Sequence, residues 1–212
     1  MTRRLPALIG STALALISAA SITPLGLNMA AADPCPDAEV VFARGSDEPV
    51  GPGFAGQAFY DSLTNQLPGK TVNLYAVNYP ASTDYLNSAH AGVGDAVAHI
   101  RGTAAACPNA KIVLGGYSQG AAVVNMSSYQ LSPQVANHVA AVALFGNPQS
   151  NYSKQLGDNQ VPPPNPAYSA KTINICLPDD MYCAEGGSVI AHLGYVGEST
   201  DKAASFVAGR IH

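Results

Sequence analysis

Charge is scarce in this chain. Asp, Glu, Lys and Arg make up 11% of the 212 residues, against roughly a quarter in an ordinary globular protein. The surface must take its polarity from Ser, Thr, Asn, Gln and Gly instead. Basic residues are outnumbered, 10 against 14 acidic, for a net charge of −4. Nucleic-acid binding normally needs a basic face, and nothing here supplies one. There is no C-x-x-C pair among the four cysteines, which argues against a zinc site. The apolar run from Leu5 to about Ala20 carries Ser11, Thr12 and Ser18 and falls short of the ~20 residues a membrane span needs. No internal repeat and no second domain are visible.

What is present begins with a leader pattern. Arg3 and Arg4 precede the apolar run, and small residues follow it to Ala30-Ala31-Ala32, just before Asp33-Pro34. A basic start, an apolar centre and an A-x-A-like end describe a cleavable signal peptide over residues 1–32. Arg3-Arg4 is also compatible with a twin-arginine signal. Cleavage after Ala32 would leave one domain, residues 33–212, and shift the net charge from −4 to −6 by removing two arginines. Hydrophobic residues make up 47% of the chain, enough for a substantial core.

An even number of cysteines in an exported chain implies two disulfides. Cys176 and Cys183 are close and bracket a turn-like segment, so they pair, leaving Cys35 with Cys107. In the chain-entropy account the short bridge contributes roughly 2–3 kcal/mol and the long one roughly 4.

Apolar strand-like runs alternate with helical patterns. Strands are expected at Glu39–Ala43, Val72–Val77, Lys111–Gly115, Val139–Phe145 and Thr172–Cys176. The fourth is almost wholly apolar, as a strand covered on both faces should be. Ala55, Phe59, Leu63 and Leu67 mark one helix face, ended by Pro68-Gly69. Val93, Val97, Ile100 and Ala104 mark a second, a third follows Ser118, and Ala203, Phe206, Val207 and Ile211 mark a closing one. The proline-rich segment 157–166 reads as a surface loop. Alternation of this kind builds an α/β fold, a five-stranded, mostly parallel sheet between two helical layers.

The sharpest motif is Gly116-Tyr117-Ser118-Gln119-Gly120, a G-x-S-x-G between the apolar Ile112-Val113-Leu114 and the helix-compatible Ala121-Ala122-Val123-Val124. A tight strand-to-helix turn holds such a serine in strained geometry and exposes its oxygen. Side chains at Gly116 and Gly120 would collide across the turn. The helix start leaves free N–H groups aimed at a developing anion.

A serine hydroxyl needs a base, and the base needs an orienting acid. In α/β-hydrolases both follow the serine, in the order Ser, Asp or Glu, His. Of the later histidines, His212 is terminal and His138 sits beside the start of the fourth strand, at the wrong end of the sheet. His192, loop-like and between the fifth strand and the last helix, remains. His90 and His99 precede the serine and read as structural or solvated. Asp179 and Asp180 both lie in the small cysteine loop, and spacing does not choose between them; Asp158 and Asp201 are poorer acids.

These residues resemble the cutinase family, in particular its secreted bacterial branch. The resemblance spans Cys35 to the C-terminal helix. It rests on Val41-Phe42-Ala43-Arg44-Gly45-Ser46, on Gly115 to Gly120, on Cys176-Leu177-Pro178-Asp179-Asp180-Met181-Tyr182-Cys183, and on His192. It implies Asp180 as the acid, supports both cysteine pairings, and places the oxyanion hole at Ser46 and Gln119. The implied reaction is ester hydrolysis through an acyl-enzyme, with no metal or cofactor.

The resemblance further implies a lidless cleft between loops at about 80–87 and 184–190, with Tyr79, Leu86, Val189 and Ile190 as candidate acyl contacts. Polyester, short acyl ester, lipid and phospholipid substrates all fit, with contact at a lipid or polyester surface, and a monomer is expected. The rival readings are a phospholipase or thioesterase on the same three residues and a secreted, wall-associated binding or antigenic protein. The complete Ser118, Asp180, His192 set argues against the second of these.

Overall fold

The computed structural model describes residues 1–2 and 35–211. The expected leader and its cleavage point lie outside the described residues, as does His212. Strands β1 (Ala38–Ala43), β2 (Val72–Ala76), β3 (Lys111–Tyr117), β4 (Val139–Phe145) and β5 (Thr172–Ile175) form one five-stranded sheet in the order β2-β1-β3-β4-β5. Every pairing is parallel. The helices are α1 (Gly53–Asn65), α2 (Tyr85–Ala106), α3 (Gln119–Ser128), α4 (Pro133–Ala136), α5 (Asn151–Leu156), α6 (Val189–His192) and α7 (Glu198–Ala208), with a 3₁₀ turn at Pro166–Lys171.

Two cores follow from the period-2 alternation of the central strands. Val41 and Ala43 of β1 face α2 and α3, with Val93, Val97, Ile100 and Val123. Val40 and Phe42 face α1 and α7, with Phe59, Leu63, Ala203 and Val207. Phe42, Phe59 and Phe145 meet there with ring centroids about 6 Å apart. β4 carries one irregularity. Ile112 pairs with Val139, but Val113 pairs with Ala141. The extra residue turns Val139 to the same side as Val142 and Leu144 despite its odd spacing.

The chain leaves β1 through α1 toward β2, then returns through α2 to β3 on the other side of β1. The crossovers therefore diverge between β1 and β3. A crevice opens beyond the carboxyl ends of the strands at such a point, and ligands bind there in open α/β sheets. The loop after β1 carries Ser46, and the turn after β3 carries Ser118.

Two disulfides are present, Cys35–Cys107 and Cys176–Cys183. The first ties the approach to β1 to the end of α2. The second closes a loop directly after β5. Among the described residues, the other histidines stay out of the crevice. His138 lies beside the start of β4, and its carbonyl accepts from the Ile112 N–H. His99 Nε2 is 3.1 Å from a Glu39 carboxylate oxygen and stacks on Tyr75.

Candidate active site

Ser118 sits between β3 and α3 with φ 55° and ψ −121°, a left-handed conformation that L-residues avoid. The turn is forced by close approach. A Cβ at Gly116 would lie 2.4 Å from the Gly120 carbonyl oxygen, and one at Gly120 would lie 1.9 Å from that of Ala43. Ser118 N–H donates to the Phe145 carbonyl at 2.9 Å, which fixes the turn to β4. Gln119 opens α3, so its backbone N–H has no intrahelical acceptor. Its side chain is fully buried: Nε2 donates to the Ser82 and Tyr85 carbonyls at 3.0 and 3.2 Å. Ser46, in the loop after β1, lines the same cleft as Ser118.

Asp180 and His192 meet through the folding of one loop. The Cys176–Cys183 bridge brackets Asp180. Asp179 takes φ 62°, and its carbonyl accepts from Ser188 N–H at 2.8 Å. Ser188 then caps α6, whose last residue is His192. The sequence reading placed His192 in a loop; a single capped helical turn holds it instead. Such turns carry too few residues to leave a periodic pattern.

Asp180 is fully buried and His192 nearly so. His192 Nδ1 lies 2.8 Å from Asp180 Oδ2. Tyr195 O–H donates to the same oxygen at 2.6 Å, and Tyr182 N–H donates to Oδ1 at 2.9 Å. Burial pushes the Asp180 carboxyl up, but the hydrogen bonds from His192, Tyr195 and Tyr182 outweigh it and hold it below its ordinary 3.8. An ionised carboxylate only accepts, so His192 carries its proton on Nδ1. Nε2 is then free as a base. It is buried and has no hydrogen-bond partner.

Three residues in this arrangement escaped sequence reasoning. Tyr195 is fully buried. Its hydroxyl accepts from Leu177 N–H at 3.1 Å while donating to Asp180. Burial raises its pKa, and the Asp180 hydrogen bond raises it further, so it stays a donor. Tyr117, the variable residue of the G-x-S-x-G, donates to the His192 carbonyl at 2.9 Å. Its ring and that of Tyr182 flank the imidazole at 5.0 and 4.2 Å between centroids. Gly146, with φ 54°, passes directly beneath: a Cβ there would lie 2.5 Å from His192 Cε1. Nothing local in the sequence marks any of the three, because each acts across the fold.

A test of Tyr195 follows from linkage. A carboxyl whose folded pKa is depressed gives stability that is present above its unfolded pKa and lost as pH falls through the folded one. Tyr195→Phe removes one of the depressing donors. The variant should be less stable by about 1.5–3 kcal/mol at pH 7, the usual range for a hydrogen bond to a charged group. Urea midpoints should show that deficit unchanged down to about pH 5 and shrinking below the ordinary 3.8. A deficit independent of pH would mean that Tyr195 only packs.

The cleft over Ser118 and His192 has a volume of about 420 Å³. Thr83 and Tyr85 line it from the first expected loop and Val189 from the second, joined by Tyr152 and Leu156 of α5, by Tyr182 and by Leu193. Of the four expected acyl contacts, only Val189 lines the cleft. Tyr79 is buried in the core, and its hydroxyl donates to the Arg44 carbonyl. Leu86 lies in α2 outside the cleft lining, and Ile190 projects into solvent. The wall supplied by Tyr152 and Leu156 of α5 leaves no signal in the sequence, because six residues make too short a pattern.

Residues 34–211 match the family model for Cutinase. A carboxylesterase of Mycobacterium tuberculosis, Culp1, is 52% identical over 210 residues, covering 98% of this chain and 95% of that protein. A phospholipase of the same organism, Culp4, is 43% identical over 219 residues, covering 99% and 92%. Among solved structures, a Trichoderma reesei cutinase in complex with a phosphonate inhibitor superposes with a TM-score of 0.72 at 35% identity, covering 85% of this chain and 78% of that one.

Proposed function

Because the chain belongs to the cutinase family and is an ester hydrolase on an α/β-hydrolase fold, we propose that it works through Ser118, His192 and Asp180 as a secreted carboxylic esterase. The observation that carries this reading is the buried His192. One ring nitrogen is engaged by an ionised Asp180, the other is buried without a hydrogen-bond partner, and the imidazole lines the same cleft as Ser118.

Ser118 Oγ attacks the ester carbonyl while His192 Nε2 takes its proton. The tetrahedral oxygen is met by the N–H groups of Gln119 and Ser46. Collapse of the intermediate expels the alkoxide, which receives the proton from Nε2 and leaves an acyl-Ser118. Water, deprotonated by Nε2, then reverses the sequence and frees the acid. Losing one oxyanion donor typically costs about 3–4 kcal/mol of barrier.

The open cleft and its exposed apolar rim suit fatty acyl or polyester substrates met at a surface. The 43% identity to a phospholipase keeps phospholipids among the candidates. The leader pattern and the two disulfides support secretion.

Treatment with a fluorophosphonate tests the assignment. The expected result is one adduct per chain, found by peptide mass spectrometry on Ser118, with concurrent loss of p-nitrophenyl ester hydrolysis. An adduct elsewhere, or full activity after Ser118 is labelled, would refute it.

A further inference from the structure

The catalytic cleft does not end at Ser46. There it meets a second groove of about 520 Å³, walled by the loop from Glu48 to Phe54 and by Leu193. Ser46, Asp47 and Leu193 line both spaces. The second wall is apolar at its surface: Val50 is 88% exposed, and Phe54 and Leu193 are exposed with it.

This loop is built rather than loose. Glu48 accepts from Gly45 N–H at 2.6 Å and from Phe54 N–H at 2.7 Å, so its carboxylate staples the two ends of the loop together. The buried Arg44 holds the Glu48 carbonyl at 2.9 Å and the Tyr79 carbonyl at 2.8 Å. Asp47 N–H reaches the Ala81 carbonyl at 2.6 Å. Pro49 and Pro52 stiffen the tip. A chain with 11% charged residues thus commits a carboxylate and a guanidinium to presenting an exposed valine beside the proposed oxyanion hole.

An ester has two substituents, which diverge from its carbonyl carbon. Two grooves adjoin here, sharing Ser46, Asp47 and Leu193 beside Ser118. Resting on the esterase reading above, we infer that the groove under Val50, Phe54 and Leu193 is a second substrate subsite, which holds one apolar chain of the ester while the larger cleft holds the other. The preferred substrate class is then an ester with an extended aliphatic chain on both the acid and the alcohol side.

Two series of soluble esters test this, each used below the concentration at which it self-associates. One is the methyl esters of straight-chain acids from two to eight carbons. The other is the acetates of straight-chain alcohols from one to eight carbons. In the wild type kcat/KM should rise with chain length in both series, since each buried methylene is worth up to about fourfold. Val50→Asp puts a charge on the exposed tip, and Val50→Thr a hydroxyl of nearly the same shape.

The expected result is a flattened chain-length dependence in one series only, at least about tenfold lower at the longest chain for the aspartate and less for the threonine. Gln134→Asp, at the opposite end of the sheet, should leave both slopes as in the wild type. Equal loss in both series, or loss in neither, would overturn the second subsite. A wild type idle on every ester would instead strike the esterase reading itself, and this subsite with it.

Discussion

Ser118→Ala should lower kcat on p-nitrophenyl esters by roughly five to six orders of magnitude, the loss typical when the nucleophile of an interdependent set is removed. The thermal midpoint should barely move. Ser118 holds φ 55° whatever its side chain, and alanine adds no volume. Asp180→Asn should cost less, about 10⁴. His192 Nδ1–H and Tyr195 O–H both donate to Oδ2, and Tyr182 N–H donates to Oδ1. A carboxylate accepts at both oxygens, but an amide accepts at only one. Asparagine therefore faces at least one donor with its own N–H. Either the His192 proton moves to Nε2, which disables the base, or the loop shifts. Steady-state rates on a short ester, with folding checked by circular dichroism, would separate the two variants. Similar residual rates in Ser118→Ala and the wild type would leave the proposed set idle.

Gly146→Ala should be the most damaging change outside that set. The new Cβ would lie 2.5 Å from His192 Cε1, 2.8 Å from Nδ1 and 3.1 Å from Asp180 Oδ2. None of these neighbours is free to yield, since Tyr117 and Tyr182 flank the imidazole and Tyr195 holds the carboxylate. Alanine at φ 54° also adds backbone strain. Displacing an imidazole by about 1 Å typically costs a factor of 10² in rate. The expected outcome is kcat down by about that factor with KM less affected, slower fluorophosphonate labelling, and unfolding free energy lower by about 1–3 kcal/mol. Wild-type kinetics in this variant would mean that the working His192 sits elsewhere than over Gly146.

Most of the architecture was legible in the sequence, for physical reasons. The five strands fall within two residues of their expected bounds. The central β1, β3 and β4 are almost wholly buried and read as near-continuous apolar runs, while the edge strands β2 and β5 are half-buried and keep a weaker apolar pattern. Helix α2 starts eight residues before Val93, the first marked apolar position. Its first turns pack through small residues such as Ser88 and Ala89, which leave no hydrophobic stripe. α7 likewise begins at Glu198, ahead of Ala203. The one-turn helices α4 and α6 were invisible, since four residues establish no period.

The sequence by itself determined the strand-turn-helix around Ser118, since two glycines and two flanking apolar runs within a dozen residues suffice to specify it. It also determined the fold class; four cysteines allow three pairings, and the closeness of Cys176 to Cys183 with the resemblance to cutinases pointed to the one the structure has. It narrowed the acid to two neighbouring aspartates, and the resemblance to cutinases pointed to the second. Only the tertiary structure decided how that acid is held. Asp180 meets His192 across twelve residues, its charge is kept by Tyr195 and the Tyr182 N–H, and Gly146 leaves the space in which they meet. The lining of the cleft was decided there too. Tyr79 was drawn into the core, while Tyr152 and Leu156 arrived from a helix too short to announce itself. Local patterns encode elements because periodicity is local. Contacts between side chains many residues apart depend on how those elements pack, and no window of sequence contains that.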